Sequence, residues 1–310
     1  METSAYTEEW LTGPTSTKFY ARAYSADSPK AVLIYVHGAA EHTGRYTQTH
    51  SALASRGVTV VAYDQRGFGR TALDIERKSK DSSYGKTSLA QQLQDLEWFV
   101  KHVHHRYPDL PIFLMGFSMG GVVILSFATC DDAPPAKSTV ALLSGAIAAA
   151  PTFLLTKSPS KFVRWAGEKV RAIAPNLVYP IQNKTEDLSR NAETNKAYEE
   201  DPFVKTPGSL RGIGDALDAG EELLYKSYQN WPPELPILIL QGADDQASSI
   251  SQVSLPSATE QFFERLPATD KKLSIYSNAC HELHNEPESV KEQYLDDCVK
   301  FIKFHLRSAS

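Results

Sequence analysis

The sequence predicts an α/β fold in which a mostly parallel central sheet carries helices on both faces. Three observations carry that prediction. Short, continuous apolar runs rich in β-branched residues recur along the chain; they alternate with segments of helical periodicity; and the alternation stops once, between Pro151 and about Pro233.

Taken in order, the first run is Ala31-Val32-Leu33-Ile34-Tyr35-Val36, closed by His37-Gly38. A strand without polar alternation is one buried on both faces. Val58–Tyr63, Ile112–Met115, Val140–Leu143 and Ile237–Leu240 repeat the pattern, and Lys272–Tyr276 is expected as the final strand. Arg66–Lys86, dense in charge and in Gly, Ser and Thr, is expected to be a surface loop. Leu89, Leu93, Leu96, Val100 and Val103 recur at three and four residues, so they share one face of a helix that packs on the sheet. Gly121–Ala128 is helical, and a last amphipathic helix places Val290, Tyr294, Cys298, Phe301, Ile302 and His305 on or near one side. Where strand-like runs vanish, helical patterns such as Lys161–Ile173 and Ile213–Tyr228 take over. The organisation expected is a core in two parts, residues 1–150 and 234–310, with a helical insert at 151–233.

Composition narrows the function. Of the 310 residues 42% are hydrophobic and 22% charged, which argues against disorder and fibrous architectures. The net charge of −5, with Lys and Arg scattered, argues against a nucleic-acid partner. The N-terminal residues carry Glu2, Glu8 and Glu9 where a secretory signal would be basic and then apolar, and the apolar stretch Val140–Leu155 is too short and too interrupted to span a membrane. Cys130, Cys280 and Cys298 are odd in number and lack metal-ligand spacing, which fits free thiols in a reducing compartment. A cytoplasmic protein is expected. Nothing in the sequence signals an oligomeric state.

The chemistry is concentrated at the ends of the strands. Gly116-Phe117-Ser118-Met119-Gly120 fits G-x-S-x-G and stands between a strand and a helix. A turn that tight tolerates little beyond glycine at its flanks and thrusts the serine oxygen above the sheet. A serine hydroxyl needs a base to take its proton, and the base needs an acid to orient it. Leu240-Gln241-Gly242-Ala243-Asp244-Asp245 supplies two acids beyond one strand, and Cys280-His281-Glu282-Leu283-His284 two histidines beyond the last. All would arrive on the carboxyl edge of the sheet. Asp245 and His281 are the choices made here, although spacing alone decides neither pair. Backbone N–H groups of Met119 and Ala39 are placed to receive the developing oxyanion. His37 is expected to fix its loop by hydrogen bonding. No metal or cofactor is required by this chemistry.

His37-Gly38-Ala39-Ala40-Glu41-His42-Thr43-Gly44-Arg45-Tyr46, Gly116-Phe117-Ser118-Met119-Gly120-Gly121 and the two later elements together resemble the monoacylglycerol lipase and lysophospholipase family of serine aminopeptidase S33-type hydrolases. The likeness extends into the insert at Leu188-Ser189-Arg190-Asn191 and Ala197-Tyr198-Glu199-Glu200-Asp201-Pro202. It implies the α/β-hydrolase fold with a helical cap inserted after the sixth strand, and it places the family's G-x-x-D element on Gly242 and Asp245 and its catalytic histidine on His281. It further implies that Glu41, Arg45, Tyr198 and His284 form the polar end of a pocket for a glycerol-like alcohol. The family commonly has His where Phe117 stands, a position expected to point away from the attack, and Cys280, beside His281, is expected to serve packing.

The function expected is hydrolysis of monoacylglycerols to fatty acid and glycerol through an acyl-enzyme on Ser118. The cap, through some of Phe153, Leu154, Leu155, Phe162, Val163, Trp165 and Ile173, would meet a membrane or lipid droplet transiently. The alternatives are an esterase of specialised metabolism or a peptidase on the same fold, and a ligand-binding protein without turnover.

Overall fold

A computed structural model describes residues 5–154, 161–180, 184–205, 207–245 and 255–306. The chain opens with an antiparallel pair, β1 (Thr7–Thr12) and β2 (Lys18–Tyr24), which has no apolar run long enough to announce it. Then follow β3 (Ala31–Val36), α1 (Thr47–Ser55), β4 (Val58–Tyr63), a one-turn α2 (Gly69–Leu73), α3 (Leu89–Arg106), β5 (Ile112–Phe117) and α4 (Met119–Thr129). After a short α5 (Lys137–Val140), β6 runs from Leu143 to Ala149. The expected strand at Val140–Leu143 is therefore displaced. Gly145, Ala146, Ala148 and Ala149 are small residues that pack close neighbours, and their low apolar bulk hid the strand.

The insert follows: α6 (Lys161–Ile173), β7 (Val178–Pro180), α7 (Ala192–Glu200), β8 (Pro207–Ser209) and α8 (Leu210–Tyr225), with β7 and β8 paired as a two-stranded ribbon. The core resumes with β9 (Ile237–Gly242), α9 (Pro256–Arg265), β10 (Lys271–Tyr276) and α10 (Glu288–His305). The eight-stranded sheet has the order β1-β2-β4-β3-β5-β6-β9-β10, and β2 is the one strand that runs against the rest.

Alternation along β3 shows how the sheet is covered. Val32, Ile34 and Val36 enter a core shared with α3, α4, α8 and α9, while Ala31, Leu33 and Tyr35 enter a second core under α1 and α10. Burying each large apolar side chain is worth about 1.5–3 kcal/mol. All residues of α4 are buried, which is why its sequence is apolar on every side. Ser88 caps α3 by accepting from the Gln91 N–H at 3.3 Å.

The Arg66–Lys86 segment is more than a surface loop. Arg66 makes a buried two-bond pair with Asp95 (2.9 and 2.8 Å), and Asp64, just before it, accepts from the N–H groups of Thr43 (2.8 Å) and Arg70 (2.7 Å). The hydrophilic sequence here pays for internal polar contacts as well as for solvation.

Among the expected lipid-facing residues, Phe153 is buried against Phe262 and Leu154 packs on the core, whereas Trp165 and Ile173 are exposed. Leu155 and the side chains of Phe162 and Val163 lie outside the described residues. No helix among the described residues is long and apolar enough to cross a membrane.

Candidate active site

The strand-to-helix turn at Ser118 explains its glycines. Ser118 adopts φ +54°, a left-handed conformation costly for a residue with a Cβ. A Cβ on Gly116 would lie 2.2 Å from the Gly120 carbonyl oxygen, and one on Gly120 would lie 2.1 Å from that of Val36. The turn can therefore close only with glycine at both flanks. It is held from the other side by the Ser118 N–H, which donates to the Ala149 carbonyl at 2.9 Å.

Ser118 Oγ lies 2.9 Å from His281 Nε2, and His281 Nδ1 lies 3.0 Å from Asp245 Oδ2. An ionised carboxylate only accepts, so Nδ1 carries the proton, Nε2 accepts, and the serine hydroxyl donates. Asp245 Oδ2 also accepts from Gln241 Nε2 at 2.7 Å, and Gln241 Oε1 accepts from Thr259 at 2.9 Å. Burial pulls the His281 pKa down, but the Asp245 carboxylate outweighs it, so the value stands above the ordinary 6.5.

Asp244, the other acid of the pair, is turned outward and bridges to Arg190 at 2.6 Å. A Cβ on Gly242 would lie 2.1 Å from the Cys280 carbonyl oxygen, so the loops bearing Asp245 and His281 cross in backbone contact. Cys280 donates its N–H to Glu286 at 2.7 Å, and burial pushes its thiol up to about 11.

Met119 is the first residue of α4, so its N–H has no partner within the helix and stands at the positive end of the helix dipole, beside Ser118. Ala39 lies on the loop after β3. His37 fixes that loop: its Nε2 accepts from the Gln65 N–H at 2.9 Å, and its Nδ1 meets the Gly38 carbonyl at 2.7 Å. Burial lowers its pKa to about 3, so it stays neutral and can accept.

Two pockets meet at Ala39. One is polar and holds Ser118, His281, Phe117, Glu41, Arg45, Leu188, Tyr198 and Glu282. Arg45 binds Glu282 with both guanidinium nitrogens (2.8 and 2.7 Å), reaches Glu41 at 2.5 Å, and lies 4.6 Å from the centre of the Tyr198 ring. Glu41 accepts from the Gly38 N–H at 2.6 Å and from the Tyr46 hydroxyl, tying this cluster to the loop after β3. The other pocket is mainly apolar, with Ala39, Ala40, Phe68, Met119 and Ile213 in its wall.

Of the four residues expected in the alcohol pocket, Glu41, Arg45 and Tyr198 line it and His284 does not. His284 lies beneath, buried between Tyr46 (ring centres 4.5 Å apart) and Phe117 (4.9 Å), and burial lowers its pKa to about 3. Its ring follows the turn Leu283–Asn285, which carries it under the pocket floor while Glu282 faces Arg45. Phe117 corrects a second expectation, because its ring lines the pocket and packs 4.8 Å from His281. Sequence reasoning missed Glu282, although it stands next to the histidine that was singled out.

Comparison with known proteins gives a consistent result. Residues 27–288 match the family model described as serine aminopeptidase, S33. A monoacylglycerol lipase of Mycolicibacterium smegmatis is 26% identical over 99% of this chain and 100% of its own length. The human monoglyceride lipase is 29% identical over 85% of this chain and 79% of its own. Among solved structures, a soluble variant of monoglyceride lipase from Saccharomyces cerevisiae, in complex with a substrate analogue, superposes with a TM-score of 0.84 at 22% identity, covering 98% of this chain and 96% of that one.

Proposed function

The chain belongs to the serine aminopeptidase S33 family, and from that premise we propose that it hydrolyses monoacylglycerols to a fatty acid and glycerol, with Ser118, His281 and Asp245 as its catalytic triad. Its architecture is the α/β-hydrolase fold, with residues 151–233 as the cap and the rest as the core.

In this reading Ser118 Oγ attacks the ester carbonyl while its proton passes to His281 Nε2, and Asp245 stabilises the imidazolium that results. The N–H groups of Ala39 and Met119 receive the oxyanion. His281 then gives its proton to the departing glycerol oxygen. Water, deprotonated by the same histidine, attacks the acyl-enzyme and releases the fatty acid.

The observation that carries the substrate assignment is the meeting of a polar and an apolar pocket at Ala39, next to the nucleophile. The polar one, with Glu41, Arg45 and Tyr198, suits an alcohol rich in hydroxyls; the apolar one suits an acyl chain. Both carboxylates of the polar pocket are already engaged by Arg45, which leaves no free anion among the described lining residues for the ammonium of a peptide N-terminus and favours the ester over the peptide. Trp165, Val170, Ile173, Leu177 and Val178 are exposed on the cap, and their exposure supports transient docking of the cap on a lipid surface.

The deciding experiment follows free fatty acid released from monoacylglycerols of increasing chain length, in micelles and in vesicles, beside a short nitrophenyl ester. Release that depends on chain length and falls by about 10⁶ in Ser118→Ala is expected. Activity confined to the short ester would reject the lipid substrate. Ile173→Ser should slow turnover in vesicles alone; an equal loss in micelles would reject the docking face.

A further inference from the structure

A second hydroxyl touches the nucleophile. Thr152 Oγ1 lies 3.2 Å from Ser118 Oγ, and Thr152 belongs to neither the triad nor the oxyanion loop. The proton count assigns the direction of that bond. Asp245 only accepts, so His281 holds its proton on Nδ1 and Ser118 spends its own on Nε2. Thr152 must then be the donor.

An oxygen of this type has four tetrahedral directions. On Ser118 Oγ one is the bond to Cβ, one is the proton aimed at His281, and one is a lone pair that accepts from Thr152. The fourth is the lone pair that attacks. We propose that Thr152 is a positioning residue: its hydroxyl fixes the Ser118 rotamer so that the remaining lone pair faces the incoming carbonyl. The inference rests on Ser118 being the nucleophile.

The backbone under Thr152 is built to hold still. It follows Ala150, whose φ is +45° and whose N–H donates to the Leu240 carbonyl at 2.7 Å. A Cβ on Gly121 would already lie 3.1 Å from Pro151 Cβ, and one on Gly220 of α8 would lie 2.8 Å from the Thr152 carbonyl oxygen and 2.4 Å from that of Phe153. Two helices, one from the core and one from the cap, thus press the segment from either side through glycines. Phe153 then anchors it by stacking on Phe262 with ring centres 4.5 Å apart. A hydroxyl on such a support can hold its neighbour to one rotamer, whereas one on a yielding loop would follow it.

The role has a kinetic signature. When Oγ bonds to the acyl carbon its proton leaves for His281, and an ester oxygen is a poor acceptor, so Thr152 is released as the acyl-enzyme forms. Acylation should depend on the hydroxyl and deacylation should not.

The test compares Thr152→Val, which keeps the shape, Thr152→Ser, which keeps the hydroxyl, and Thr152→Ala, which keeps neither. Each is read by the second-order rate of labelling with a fluorophosphonate, by the burst and steady-state phases on a short nitrophenyl ester, and by thermal midpoint. Losing the contact that holds Ser118 in one staggered rotamer, with its attacking lone pair aligned, corresponds to a fall of about three- to ten-fold in the labelling and burst rates. That fall is expected for Val and Ala, with Ser within about two-fold of wild type and the steady-state phase unchanged in all three. Equal labelling of wild type and Val would overturn the proposal, as would a Ser variant no better than Val, or a fall that tracks the thermal midpoint. A wild type that the probe does not label would overturn the nucleophile assignment as well, so the two failures are distinct.

Discussion

Two buried polar clusters flank Ser118, and they are built on opposite principles. The relay from Ser118 through His281 to Asp245, continued by Gln241 and Thr259, is a line of successive hydrogen bonds. The cluster around Arg45 is a knot in which one guanidinium serves two carboxylates and a tyrosine ring. Burial would raise the pKa of both carboxyl groups. At Glu282 the two-bond pairing with Arg45 wins, and the value falls to about 2; at Glu41 burial wins over the same guanidinium, and the value rises. The line is suited to moving a proton, and the knot to keeping a shape.

If that contrast holds, damage to the line should appear in turnover and damage to the knot in binding and stability. After the loss expected for Ser118→Ala, the largest effect belongs to Asp245→Asn, which should lower kcat by about 10⁴. The pH profile checks the cause. A general base works when deprotonated, so with a pKa above 6.5 kcat/KM of the wild type should rise with pH through a limb above that value. In the Asn variant the limb should move down; a limb that stays would sever Asp245 from His281. Asp244→Ala, which loses only an exposed pair with Arg190, should leave the profile intact.

Next in size is Arg45→Met. Leaving two buried carboxylates without a cation should cost about 3–5 kcal/mol, seen as a lowered urea midpoint. KM for glyceryl esters should rise by about ten-fold or more, with the burst on a nitrophenyl ester little changed. Equal damage to both substrates would make the knot part of the chemistry.

His284→Phe should have the smallest effect, visible only against pH. Its folded pKa is lowered to about 3 from an ordinary 6.5, so its contribution to stability is intact above 6.5 and is lost as pH falls below it. The wild type should therefore lose about 1.4 kcal/mol per pH unit from this residue that the Phe variant keeps. Urea midpoints of the two proteins should diverge between neutral and mildly acidic solution; parallel curves would show that His284 takes up its proton without unfolding.

The same contrast explains what was legible in the sequence. The line is written in local motifs at the carboxyl ends of strands: G-x-S-x-G closes β5, Asp245 follows β9, and His281 lies in the loop after β10. Chain order and the polarity of a parallel sheet then bring the three together. The knot draws Arg45 from the loop before α1, Tyr198 from α7 and Glu282 from beyond β10, and no periodicity relates those segments. Resemblance pointed to three of its members and misplaced His284, because one turn of 3-10 helix decides which of two neighbouring side chains faces the pocket. In the fold, the bulky strands were read directly. β1 and β2 were missed for want of an apolar run, and β6 was displaced because glycine and alanine let neighbours approach without advertising a core.

The crossing of Gly242 over the Cys280 carbonyl has a consequence for how far the site can change. The spacing of base and acid is set there by main chain on main chain, anchored in two strands of the central sheet, with no side chain between them to repack. Such a joint tolerates no added bulk: a methyl group introduced by Gly242→Ala must part the two loops, and with them His281 from Asp245, while leaving Ser118 in its turn.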